Sequence, residues 1–133
     1  MTESTEELDP EVRQLASKAR DLARHGDADT LAAYVDAGVP VNLTNDRGDS
    51  LVLLAAYHGH REAVAALLER KADPNQTNDR GQTPLTAAVF KGETDIVRTL
   101  LDHGADPKAG TPSAVEVAGT SGRQDLLELF RGK

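Results

Sequence analysis

Thr77-Asn78-Asp79-Arg80-Gly81 repeats, letter for letter, the pentapeptide Thr44-Asn45-Asp46-Arg47-Gly48 that stands 33 residues before it. The register holds through the segments that follow. Ala55 matches Ala88, Gly59 matches Gly92, Val64 matches Val97, Leu67-Leu68 match Leu100-Leu101, and Ala72-Asp73-Pro74 match Ala105-Asp106-Pro107. Self-similarity at a fixed period of roughly 20–50 residues marks a stacked-repeat architecture. Each unit of such a stack contacts only its neighbours.

One period read residue by residue gives two short helices and a loop. Arg80-Gly81 signals a turn, and Thr83-Pro84 reads as a helix N-cap followed by proline at the first helical position. Leu85, Ala88 and Val89 line one face of a first helix that stops near Gly92. A second helix is expected over about Glu93–His103, with Ile96, Val97, Leu100 and Leu101 as its buried stripe. Gly104 supplies the left-handed residue that ends it, and Asp106-Pro107 turns the chain into an extended loop. Isolated helices shorter than ~12–15 residues are marginal in water, so each pair must bury its stripe against the next.

Thr83-Pro84-Leu85, Gly92, Ile96-Val97, Leu100-Leu101 and Gly104-Ala105-Asp106 resemble the signature of the ankyrin-repeat family. The preceding period matches through Gly48, Ala55-Ala56, Gly59-His60, Leu67-Leu68, Ala72-Asp73 and Asn75. Upstream, Leu22-Ala23, Gly26, Leu31, Tyr34-Val35, Gly38 and Asn42 make a first unit with a longer opening helix, starting at Asp9-Pro10. Downstream, Gly122, Leu126-Leu127 and Phe130 make a fourth, spaced 30 residues from the third. The loss is assigned to the loop from Lys108 to Gly110, so the last hairpin should be truncated. The resemblance implies an all-α solenoid: an acidic tail over residues 1–9, then one domain over 10–133 with units of about 10–44, 45–77, 78–110 and 111–133. Three positions depart from the family pattern. Lys71 stands where the helix end favours glycine; Leu53 and Thr86 stand where such repeats often carry a histidine, a place held by Arg20 and Glu116 in the terminal units. The network tying hairpin to helix is therefore expected to be missing or rebuilt.

Composition narrows the function. The net charge of −7 is concentrated in Glu3, Glu6, Glu7, Asp9 and Glu11, leaving a nearly balanced body. That acidic run reads as a solvated tail. No basic footprint for nucleic acid is present, and no apolar run approaches the ~20 residues that span a bilayer. The N-terminal stretch has no apolar segment of the secretory type. With no cysteine, disulfides and thiolate metal sites are ruled out, which fits a reducing cytoplasm. Arginine outnumbers lysine and alanine is abundant, in the manner of a bacterial chain.

The resemblance implies a concave side, made of hairpin tips and the edges of the first helices, that recognises another protein. The two positions before the glycine ending each first helix should be exposed there: Arg24 and His25, Tyr57 and His58, Phe90 and Lys91, Thr120 and Ser121. Neighbouring helices sit ~8–10 Å apart, so Tyr57 and Phe90 should stand side by side on an open surface. The tips Asp46, Arg47, Asp49, Asp79, Arg80 and Gln82 would ring them as a charged rim, while Asn45 and Asn78 shape the turns. Tyr34 and Phe130 fall on the buried leucine position of the second helix.

No catalytic constellation accompanies this surface. Gly119-Thr120-Ser121-Gly122 lacks the lysine of a phosphate-binding loop, and no nucleophile-elbow pattern occurs. The expectation is a non-enzymatic monomer without cofactor or metal, an adaptor or inhibitor with one protein partner, binding neither nucleic acid nor membrane. One alternative is self-association through the C-terminal unit, where little chain follows Phe130. Another is a metal or small-ligand site built from His25, His58 and His60, which would need further ligands around a common ion.

Overall fold

The computed structural model describes residues 10–132. The acidic tail, residues 1–9, and Lys133 lie outside the described residues. Eight helices follow in pairs: α1 (Pro10–His25) with α2 (Ala28–Asp36), α3 (Leu51–Tyr57) with α4 (Arg61–Glu69), α5 (Pro84–Lys91) with α6 (Thr94–Asp102), and α7 (Ala114–Thr120) with α8 (Gln124–Phe130). Among the described residues β-pairing is confined to two isolated antiparallel bridges, Thr44 with Ser50 and Gly110 with Ser113.

The first helices form an inner layer in which α1 packs on α3, α3 on α5 and α5 on α7; in the outer layer α2 packs on α4 and α4 on α6. Contacts thus run between partners and nearest neighbours, the expected consequence of units too small to fold unaided. Alanines make the inner layer tight: Ala23, Ala55, Ala56, Ala88 and Ala118 are fully buried. The seam between layers is filled at matching positions by Val64 and Val97 and by Leu67 and Leu100, all without solvent exposure. Truncating one of these leucines to alanine should cost ~2–5 kcal/mol. Phe130 takes the leucine position in α8 and is buried, while Tyr34 is partly buried in α2. Phe130, which the sequence placed on the buried leucine position of the second helix, is part of the core.

Caps set each helix start. The Ser50, Thr83 and Ser113 side chains accept bonds from the third backbone amide of α3, α5 and α7, and at Ser113 the Glu116 carboxylate bonds back to complete a capping box. This is how the terminal unit rebuilds the missing histidine network. In the third unit hydroxyls take over: Thr86 Oγ1 lies 2.9 Å from Thr83 Oγ1 and donates to the Pro112 carbonyl at 3.4 Å. In the second, Leu53 fills the position with a buried apolar side chain.

The second helices end alike. The Lys71 and Gly104 amides bond to the carbonyls of Leu68 and Leu101, and those of Ala72 and Ala105 reach back to Leu67 and Leu100. This pairing requires a left-handed residue at the turn. Gly38 and Gly104 meet it with φ of 118° and 92°, and Lys71 adopts φ 71° against the preference of an L-residue. Second helices also cross-link: Arg70 forms a two-pronged ion pair with Asp36 at 2.9 and 3.2 Å, which holds the Asp36 carboxyl below its ordinary pKa of 3.8.

One expectation is corrected. The shortening of the fourth unit does not lie in Lys108–Gly110. Asp106 accepts from the Lys108 amide as Asp73 does from Asn75, so the register persists to Gly110. The bridge closing the second hairpin joins Thr44 to Ser50, whereas the last joins Gly110 to Ser113. The missing residues come out of the hairpin tip, because the exit loop is fixed by inter-unit bonds such as Asn75 Oδ1 to the Asp106 amide at 2.7 Å.

Candidate functional site: a concave groove under the hairpins

Hairpin tips and inner helices enclose a groove of about 550 Å³. Its floor is Leu53 and Leu54 of α3, Thr86 and Ala87 of α5, and Val117 of α7; Pro112 closes the C-terminal end. Tyr57 and Phe90 stand at its lip, 42% and 71% exposed, the large apolar side chains left in solvent among the described residues. Both arise because the inner-helix stripe runs out one residue early. Val89 and Ala56 are the last buried positions, and the next residue turns toward the open side.

Tyr57 is not stacked on Phe90. Its ring meets His58 edge-on, with centroids 5.3 Å apart and planes at 87°, and Lys91 Nζ lies 4.8 Å over it. A cation over an aromatic face is attracted by the ring quadrupole, so Lys91 and Tyr57 act as one feature shared by neighbouring units. Arg24, Arg47, His58, Arg80, Asp49 and Gln82 also line the groove. His25, Asp46 and Asp79 are exposed but do not line it. Arg47 and Arg80 sit on exposed tips, and their guanidinium groups make no hydrogen bond or ion pair among the described residues, whereas Arg24 Nη1 pairs with Asp21 at 2.8 Å.

Asp49 departs from the exposed rim expected of it. It is 9% exposed, receives Asn78 Nδ2 at 2.8 Å and Asn45 Nδ2 at 3.2 Å, and so ties one hairpin to the next. Gln82 is similarly engaged, its Oε1 accepting from Asn78 Nδ2 at 2.8 Å. Asn45 and Asn78 do more than shape turns. Each Oδ1 accepts two amides of its own loop, Arg47 and Asp49 in one and Arg80 and Gln82 in the other, leaving the amide nitrogen for the carboxylate. A buried carboxylate demands such donors.

The histidines are structural or solvent-facing. His60 Nε2 donates to the Arg24 carbonyl at 2.7 Å, and its ring lies so close to Gly26 that a Cβ there would approach Nδ1 to 2.4 Å. His25 Nδ1 donates to the Asp21 carbonyl at 2.8 Å, and Asp27 is spent capping α2. His25, His58 and His60 therefore do not converge, and among the described residues no cluster of three or more potential ligands has metal-binding geometry. The His58 pKa is held below its ordinary 6.5, first by partial desolvation and then by the positive charge of His60, Arg24, Lys91 and His25. No described helix is long and apolar enough to cross a membrane.

Leu53, Leu54, Thr86, Ala87, Pro112 and Val117 were not expected at the site. Five of them look like core or cap residues in sequence, and Val117 holds in α7 the repeat position that Leu54 and Ala87 hold in α3 and α5. Pro112 stands just before the Ser113 cap, its carbonyl accepting from Thr86 Oγ1 of α5.

Comparison with known proteins agrees with this architecture. Residues 20–111 match the family model for ankyrin repeats in three copies. A curated relative from Pseudomonas aeruginosa, described as an ankyrin repeat protein, is 44% identical over 58 residues, covering 43% of this chain. The match spans about a third of that relative's length, 34%. Ankyrin repeats generally act as protein–protein interaction modules and are typically non-enzymatic. With the 33-residue register, the paired helices in two layers and the family match over most of its length, the chain belongs to the ankyrin-repeat family.

Proposed function

We propose that this protein is a non-enzymatic interaction module, an adaptor or inhibitor, that docks one protein partner in its concave groove. The observation that carries the reading is the pairing of Tyr57 and Phe90 on one groove: they are the exposed large apolar side chains among the described residues, and both border the same floor. Aromatic side chains at the centre of a contact dominate interface energy, with ~2 kcal/mol or more lost on truncation at a hot spot. The partner-facing set comprises Tyr57, His58, Phe90, Lys91, Arg24, Arg47 and Arg80, with Asp46 and Asp79 at the rim. The protein works as a monomer in the cytoplasm, a placement supported by its lack of cysteine, and it engages neither nucleic acid nor membrane. Burial of Phe130 removes the motive for self-association through the C-terminal unit.

The test is affinity capture from native lysate with wild type and the Tyr57→Ala/Phe90→Ala variant. A partner retained by wild type and lost by the variant is expected. Equal recovery of the same partner by both rules out this face.

A further inference from the structure

The groove carries charge of one sign on a chain of the other. The outer layer is acidic on balance. Asp29 and Asp36 on α2 and Asp95 and Asp102 on α6 outnumber Arg98, while Arg61 and Arg70 offset Glu62 and Glu69 around α4, and Arg123 and Arg131 offset Asp125 and Glu128 around α8. The groove, by contrast, collects Arg24, Arg47 and Arg80, with Lys91 beside them over the Tyr57 ring. Its only lining carboxylate is Asp49, already satisfied by two asparagine amides. Arg24 is partly answered by Asp21, but the Arg47 and Arg80 guanidinium groups have no partner among the described residues. Arg24 and Lys91 are also near enough to His58 that, after desolvation and together with His60 and His25, they help to disfavour its protonation.

On this basis we infer that the occupant of the groove is an acidic, extended peptide segment, with carboxylates about every third residue and an apolar side chain between them. The inference rests on the concave-face reading above and deepens it. Spacing supplies the pattern. Arg47 and Arg80 occupy the same place in successive units, and units repeat at ~8–10 Å. A polyproline-II chain advances ~3.1 Å per residue and returns to the same face every third residue, so carboxylates three residues apart share a face and match consecutive arginines, each able to take a carboxylate with paired N–H donors. The intervening side chain then points to Leu54, Ala87 and Phe90. A nucleic acid offers anions but no aliphatic group for that floor, and the acidic outer layer opposes a long polyanion. Peptide is therefore favoured.

The experiment is selection of a random twelve-residue peptide library displayed on phage against the whole chain. It is run in parallel on wild type, Arg47→Gln/Arg80→Gln and Tyr57→Ala/Phe90→Ala, each checked for helical content. The expected pool is acidic, with Asp or Glu at three-residue spacing around an apolar residue. Its best peptide should bind at least ~10-fold more weakly to the arginine variant and lose affinity with added salt. A basic or uncharged pool, no enrichment, or an acidic pool indifferent to the arginine variant overturns the inference. So does tighter binding of an oligothymidylate twelve nucleotides long. Peptides that ignore the arginines yet fail on the Tyr57/Phe90 variant leave the concave-face reading standing; peptides indifferent to both variants sink both.

Discussion

Lys71→Gly should make this protein more stable although it deletes a side chain and adds no contact. Lys71 holds φ 71° at the end of α4, where the equivalent positions carry Gly38 and Gly104. A left-handed conformation costs an L-residue about 1–2 kcal/mol. Glycine relieves that but loses more backbone freedom on folding, a penalty of roughly 0.5–1 kcal/mol. The balance is a gain of about 0.5–1 kcal/mol, a rise of about 2–4 °C in Tm for a chain of this size. Two controls isolate the backbone. Lys71→Ala removes the charge and keeps the unfavourable φ, so it should stay within about 0.5 kcal/mol of wild type. Gly104→Lys should reverse the gain, because a Cβ at Gly104 meets nothing within 4 Å and the change is free of steric clash. Urea unfolding followed by circular dichroism, with unchanged m-values, measures all three. The reasoning is refuted if Lys71→Gly is no more stable than Lys71→Ala, or if Gly104→Lys matches wild type.

Asn78→Ala should be far more damaging than its place in a loop suggests. It removes one of the two asparagine donors to the buried Asp49 carboxylate, leaving Asn45, and frees the Arg80 and Gln82 amides, a loss of about 1–3 kcal/mol by denaturant titration. Gly26→Ala should destabilise by forcing the His60 ring off the Arg24 carbonyl, and the double variant Gly26→Ala/His60→Ala should recover part of that loss, visible in a double-mutant cycle. The pH profile should carry a His58 component. Its folded pKa lies below 6.5, owing to desolvation first and to His60, Arg24, Lys91 and His25 next. The unfolded chain therefore binds the proton more readily, so stability falls as pH drops through about 6.5 and levels off below the folded value. His58→Gln should flatten that part of the wild-type curve between pH 8 and pH 5, and identical slopes would contradict the assignment.

How much of this was legible differs between elements and site. The repeated pentapeptide and the Leu67-Leu68/Leu100-Leu101 register determine the helix pairs, because a period of 33 residues leaves each unit one way to bury its stripe. The glycines one period away marked Lys71 as a helix end that favours glycine, but a left-handed residue or an altered turn would both fit the sequence; φ 71° decides for the former. Exposure of Tyr57 and Phe90 was implied by the family resemblance, which puts the residues before each first-helix glycine on the open side. The role of Asp49 did not. Its sequence neighbours mark a solvated turn, and only the approach of the next hairpin brings Asn78 within 2.8 Å of the carboxylate. Nor could the sequence show where the last unit was shortened, since a spacing of 30 residues fits a cut in either loop; the bonds that fix the exit loop confined it to the tip. Lys91 over Tyr57 and the gathering of Arg24, Arg47 and Arg80 are likewise tertiary facts. Periodicity dictates which face of each unit is buried, because apolar burial depends only on local helical spacing. What meets across the open side depends on side chains from different units converging in space, and that is settled by how the units stack.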